Sequence, residues 1–145
     1  MSIALDEAKK AASRGEVPVG AVIVCDDQII AQAGNQIVQD KDPTAHAEIV
    51  ALRLAAKKLG RERLYDCDLY VTLEPCTMCA GAISLARIRR LYFGAGDEKG
   101  GAVENGARFF SLATCHHAPD VYSGFQEAES AVSYTHLTLP TTPYV

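Results

Sequence analysis

The sequence has no apolar run approaching the roughly 20 residues needed to cross a bilayer. Asp6 and Glu7, close behind Met1, spoil a signal-peptide pattern, so no secretory leader is expected. The expectation is a cytoplasmic protein with no membrane partner. Positive charge is scarce as well: 14 Lys and Arg stand against 18 Asp and Glu, a net charge of −4. Proteins that grip long stretches of duplex by charge are usually basic. Any nucleic-acid contact is therefore expected to be local, drawing on Lys57, Lys58, Arg61 and Arg63, on Arg87, Arg89 and Arg90, and on Lys99 and Arg108. Each of these runs also reads as a solvated helix face or turn. Internal repeats and linkers are missing too. The five cysteines are odd in number, which argues against a disulfide framework in a reducing compartment. Metal binding or burial must account for them.

What is present suits one domain with one core: 145 residues, 48% apolar and 22% charged. Ile3, Leu5, Ala8, Ala11 and Ala12 approximate one helical stripe, and Gly15 stops it. Ala21–Cys25 is a β-branched apolar run. Asp26-Asp27 then signals a tight turn, and Gln28–Gly34 returns, so the pair reads as a hairpin. Asp42-Pro43-Thr44 is a helix entrance, followed by a helix over Ala47–Leu59 that ends at Gly60. A third strand is expected over Asp68–Leu73, a helix from near Cys76 to about Ala86, and a fourth strand over Arg90–Ala95. Gly94, Gly96, Gly100 and Gly101 mark a flexible loop. A short helix over Val103–Phe110 and a short fifth strand over Asp120–Tyr122 complete the pattern. Strands alternating with helices after an opening hairpin imply an α/β fold, with a mixed sheet covered by helices on both faces.

Two short motifs carry chemistry: His46-Ala47-Glu48 and Pro75-Cys76-Thr77-Met78-Cys79. Cys-x-x-Cys at a helix start puts both sulfurs on one face, where the positive end of the helix dipole favours thiolate. Alone, that pair fits redox chemistry as well as metal binding. His46-Ala47-Glu48 also opens a helix after an extended segment, and such turns gather at the carboxyl ends of strands in an open α/β sheet. Met in space, the motifs offer one imidazole and two thiolates. A closed structural zinc site takes four protein ligands, whereas three leave a position for water, the catalytic pattern. Two thiolates neutralise the metal and weaken its acidifying effect. Two helix N-termini offset part of that loss, and Glu48 is placed to accept the water proton. His-x-Glu with Pro-Cys-x-x-Cys is the known signature of zinc nucleobase deaminases.

The likeness extends further. Glu16-Val17-Pro18-Val19-Gly20-Ala21-Val22, Asp42 to Glu48, Leu73 to Ala82 and Phe93-Gly94-Ala95-Gly96-Asp97 resemble the bacterial tRNA-specific adenosine deaminases, from about Ile3 to about Ala131. The resemblance implies the three-layer cytidine deaminase-like fold with a five-stranded mixed sheet, a homodimer, one zinc ion per subunit, and conversion of wobble adenosine in a tRNA anticodon loop to inosine. Carried over by motif, His46, Cys76 and Cys79 hold zinc and Glu48 shuttles protons to ring nitrogen 1 and then to the departing amine. Asn35 hydrogen-bonds the flipped base, and Ala47, Pro75 and Asp97 join it in substrate binding. Without the resemblance, Asn35 reads as a turn residue and Asp97 as a solvated loop aspartate.

The chain departs from the family at its end. Residues 1–132 are expected to form the deaminase domain. Ser133–Val145 (SYTHLTLPTTPYV) resembles translated sequencing-adapter read-through and is expected to stand in place of the family's amphipathic closing helix, with part of its hydrophobic cover and RNA contact. Two other functions fit parts of the pattern. One is a zinc deaminase of a free base or nucleotide, such as guanine or deoxycytidylate. The other is a non-catalytic zinc-stapled module, in which Cys76 and Cys79 join Cys115 and His116 or His117 in a closed site. Cys25, Cys67 and Cys115 are expected to be small apolar packing residues.

Overall fold

A computed structural model describes residues 1–126 and 128–131. The expected tail, Ser133–Val145, lies outside them. The element order is α1 (Ser2–Ser13), β1 (Gly20–Cys25), β2 (Gln28–Gly34), α2 (Ile37–Asp40), α3 (Ala47–Leu59), β3 (Cys67–Leu73), α4 (Thr77–Ala86), β4 (Arg90–Ala95), a 3₁₀ turn (Phe109–Ser111) and β5 (Asp120–Tyr122). The five strands form one sheet in the order β2-β1-β3-β4-β5. β1 runs antiparallel to both β2 and β3, while β3, β4 and β5 are parallel. The sheet is mixed, as its opening hairpin implies.

The hairpin turns at Asp26 and Asp27, both with positive φ (52° and 61°). That left-handed pair matches the right-handed twist of the strands it joins, and aspartate tolerates it better than most residues. The period-2 alternation of each strand then sorts the two faces. Ala21, Ile23, Leu69, Val71, Leu91 and Phe93 lie in register across the sheet and are buried in one core with Ala47, Ala51, Leu52 and Ala55 of α3 and Ile83 of α4. On the other face Gly20 lets α1 approach closely, since a Cβ there would collide with the backbone of Ala4 and Ala8. Helices therefore cover both faces of the sheet.

The expected elements appear with shifts of a residue or so at their ends, with two exceptions. The four-residue helix α2 has too few turns to show a period. Val103–Phe110 is not a helix: only Phe109–Ser111 winds, as a 3₁₀ turn. The N–H groups of Val103, Glu104 and Asn105 donate instead to the side chain of Glu74.

Candidate metal centre and active site

His46 and Cys76 occupy equivalent places. Each is the extended N-cap residue of a helix, His46 of α3 and Cys76 of α4. Each carbonyl accepts the first hydrogen bond of its helix, from Val50 and from Ala80. Cys79 lies in the first turn of α4, so its sulfur falls on the same side as that of Cys76. The two helix starts meet beside the carboxyl end of β3. His46 Nδ1 lies 3.6 Å from Cys76 Sγ and 3.4 Å from Cys79 Sγ.

Those distances test the fit of a metal. Zn–N near 2.0–2.1 Å and Zn–S near 2.3 Å at a tetrahedral angle put N and S about 3.6 Å apart. The three donor atoms already stand at such an edge length. They lie within 4.8 Å of one another, a spread that one ion can bridge. Their chemistry also suits zinc, which takes neutral imidazole and thiolate together.

Electrostatics separate the donors. A hydrogen bond from Cys79 pulls Cys76 down to about 4, with His46 adding to the effect. Cys79 moves the other way, through its bond to Cys76 and through burial. Burial works to lower His46, but the Cys76 sulfur beside it outweighs that, and the imidazole is raised. Glu48 lies in the first turn of α3 and is 4% exposed. Burial pushes its carboxyl up to about 7, with the Cys76 charge adding to the push. A carboxyl there can both accept and return a proton near neutral pH.

Asn35 is fully buried at the end of β2. Its Oδ1 accepts the Ala47 N–H at 2.7 Å, which fixes the orientation of the amide. Among the described residues its Nδ2 has no partner, and a buried donor left unsatisfied is costly unless something arrives to accept from it. Ala47 is buried, and its N–H is the one given to Asn35. Pro75 is buried beside Cys76, and its carbonyl accepts the Ala102 N–H at 2.9 Å. Asp97 is largely buried and not a solvated loop residue; its Oδ1 accepts the N–H groups of Lys99 and Gly100.

The closed four-ligand alternative does not form. Cys115 and His117 sit at the far end of α4, where Cys115 Sγ is 3.1 Å from the His117 carbonyl and 3.6 Å from Ser84 Oγ. His117 Nε2 is 2.8 Å from the Ile88 carbonyl. Eight residues of helix and turn, about 12 Å, separate Ser84 from Cys76. Cys115 is half-buried, not a core residue, whereas Cys25 and Cys67 are buried as expected. Sequence reasoning missed Glu74, whose carboxylate gathers a loop beside the site. Its partners lie 23 to 31 residues away, with no local pattern to announce them.

The family "cytidine and deoxycytidylate deaminase zinc-binding region" matches residues 1–95. A tRNA-specific adenosine deaminase of Agrobacterium fabrum is 65% identical over 131 residues, 90% of this chain and 86% of that protein. Its counterpart in Haemophilus influenzae is 52% identical over 86% of this chain and 72% of its own length. A structure solved in a study of A-to-I editing by tRNA:A34 deaminases at the wobble position is 64% identical, with a TM-score of 0.91, and covers 92% of this chain and 96% of its own. The matched region spans the donor triad, and the cofactor is one zinc ion per chain. By its metal centre, its sheet and its identity to these enzymes, the chain belongs to the tRNA-specific adenosine deaminases of the cytidine deaminase-like fold.

Proposed function

We propose that the protein hydrolyses the wobble adenosine of a tRNA anticodon to inosine, with His46, Cys76 and Cys79 holding zinc and Glu48 moving the protons. The observation that carries this reading is the triad itself: one nitrogen and two sulfurs at tetrahedral spacing, beside a buried carboxyl poised near 7. When bound, zinc supplies the Lewis acidity that brings water into the range of a useful nucleophile at neutral pH. Glu48 accepts the proton of the attacking water and delivers it to ring nitrogen 1 of adenine; it then takes the proton of the new C6 hydroxyl and passes it to the amine, which leaves as ammonia while that oxygen becomes the carbonyl of inosine. Burial of Glu48 excludes bulk water that would compete for that proton. Asn35 orients the base by offering its unpartnered Nδ2 to a ring acceptor, while Ala47 holds the amide in place. Ala47 and Pro75 line the pocket with backbone, and Asp97 orders the neighbouring loop. Anticodon-loop bases can be splayed out without melting a duplex, which suits a buried site.

A groove between α3 and α4 is lined by Ile49, Leu52, Ala82 and the exposed Leu85. We assign this face to a second copy of the chain. Among the described residues no helix is long and apolar enough to cross a membrane, and a tRNA substrate supports a cytoplasmic setting for the reaction.

The test is Glu48→Ala assayed with tRNA and with free guanine. The variant is expected to keep its zinc and to lose inosine formation by about 10²–10⁴-fold, the usual cost of removing a general acid–base. Near-full activity in the variant would refute the role of Glu48. Turnover of guanine but not tRNA by the unaltered protein would refute the substrate.

A further inference from the structure

Glu74 lies between the end of β3 and Pro75-Cys76 and is 3% exposed. Its carboxylate receives five hydrogen bonds, all from one loop. Oε1 accepts the Asp97 N–H at 3.0 Å and Asn105 Nδ2 at 2.7 Å. Oε2 accepts the N–H groups of Val103 (2.9 Å), Glu104 (2.8 Å) and Asn105 (3.0 Å). Ala102 of the same loop donates to the Pro75 carbonyl, one residue from a metal ligand. Gly101 passes so close that a Cβ there would lie 2.5 Å from Glu74 Cδ and from the Asp97 carbonyl oxygen.

A buried carboxylate is costly, and a core can be filled more cheaply with apolar side chains. What the carboxylate does here is order. Residues 96–106 include four glycines, and a segment of that composition has much conformational freedom to lose. With both oxygens satisfied by the loop's own donors, that segment is pinned against Pro75. Lys99 on this loop and Arg108 just beyond it are exposed, so by holding the loop the carboxylate bears on where two cations stand. Cations at a rim meet phosphates, which fix register and orientation in nucleic-acid complexes.

We propose that Glu74 is a positioning residue for RNA: by holding the 97–106 loop it fixes the wall of the pocket that receives the nucleotides flanking the target adenosine. It acts on substrate binding and not on proton transfer. This inference rests on the reading of the site as a tRNA deaminase.

The experiment uses the full zinc-loaded chain, its Glu74→Gln variant and an anticodon stem-loop RNA. Glutamine keeps the size of the side chain, but whichever way its amide turns, an NH₂ group faces loop N–H donors. Amide exchange over 97–106 is expected to accelerate. KM is expected to rise about 10- to 100-fold, the effect of losing charge-assisted hydrogen bonds, while kcat and zinc content stay within about threefold of the unaltered enzyme. A purely structural role would instead reduce the active fraction, so that kcat falls and KM holds; that result overturns the proposal. Unchanged exchange, or faster exchange with unchanged KM, overturns it as well. If Glu74→Gln does not fold, Asn105→Ala removes one of the five donors and is expected to raise KM by a smaller factor; no rise in KM there would be equally fatal. Absence of inosine from the unaltered chain would sink the tRNA reading instead, a result distinct from all of these.

Discussion

At the carboxyl end of β3 two cysteines meet a histidine, and at its amino end two cysteines meet an aspartate. Both clusters gather three possible ligand atoms within 4.8 Å. At the first end, Cys76 caps a helix and Cys79 sits in its first turn, so both sulfurs face the positive end of the α4 dipole. At the second, Cys25 and Cys67 are paired across antiparallel strands. The Cys67 carbonyl accepts from Arg89 and its N–H donates to Leu64, so neither group points to β1. The two cysteines are thus a non-hydrogen-bonded pair, the arrangement that brings side chains closest. Among the described residues no helix starts beside them, and Asp66 is held by Arg61 at 2.5 Å. Burial, together with Cys25 and Asp66, pushes Cys67 up to about 12, and Cys25 rises too. Ligand-type residues in proximity are therefore insufficient. Helix termini and an uncommitted third group distinguish a metal centre from a packed pair.

The largest effect that could break this contrast is on metal content. His46→Ala is expected to cut zinc occupancy and with it inosine formation, whereas Cys25→Ala is expected to keep about one zinc per chain. Elemental analysis decides it. Full zinc in the first variant, or loss of zinc in the second, would mean that the two ends have been assigned the wrong way round.

A smaller effect concerns thiol reactivity in zinc-stripped protein. Thiolate is the nucleophile, and its fraction drops about tenfold for each pH unit below the pKa. Cys76, held at about 4, is already ionised at neutral pH, so its alkylation should be nearly flat from about pH 6 to 8. Cys67, pushed to about 12, should react slowly and gain about tenfold per unit over the same span. A low-pKa thiolate is intrinsically a weaker nucleophile, which narrows the gap. Cys76 is still expected to lead at pH 7 by about 10- to 60-fold from these two effects, and by more because Cys67 is fully buried, as read by mass spectrometry of the labelled peptides. Comparable rates at the two sites would remove the electrostatic basis of the comparison.

The metal end was legible in the sequence because its signals are local: His46 and Glu48 two residues apart, Cys76 and Cys79 three apart, each after an extended run and before an apolar-periodic helix. That the sheet is mixed followed from the hairpin and the alternation of elements, whereas the order β2-β1-β3-β4-β5 had no such signal. What could not be read is held together by single side chains acting over long separations. Glu16 accepts from Val38 and Gln39 and so builds α2 beside Asn35. Glu74 draws the N–H groups of 103–105 out of the helix that their composition suggests. Neither glutamate differs in sequence from a solvated one. The Cys25–Cys67 pair was read correctly as packing residues, but their adjacency depends on the register of β1 against β3, which no local pattern encodes.

The smallest expected effect tests whether the second cysteine end is only packing. Cys67 is fully buried among apolar neighbours on the α3/α4 face of the sheet. Cys67→Ala removes one sulfur without adding a polar group, so the cost is loss of contacts and a small void, about 1–2 kcal/mol. For a chain of this size that lowers Tm by about 3–6 °C. Zinc content and inosine formation per folded molecule are expected to hold, because the substitution lies at the opposite end of β3 from Cys76. Cys67→Ser sharpens the test: Asp66 Oδ1 is 3.5 Å from the sulfur, near enough for a hydroxyl to find an acceptor and offset part of its desolvation. A serine variant no less stable than the alanine variant agrees with a packing site that tolerates a donor. A loss of zinc in either variant would show that the two ends of β3 are coupled and that the contrast between them is not local.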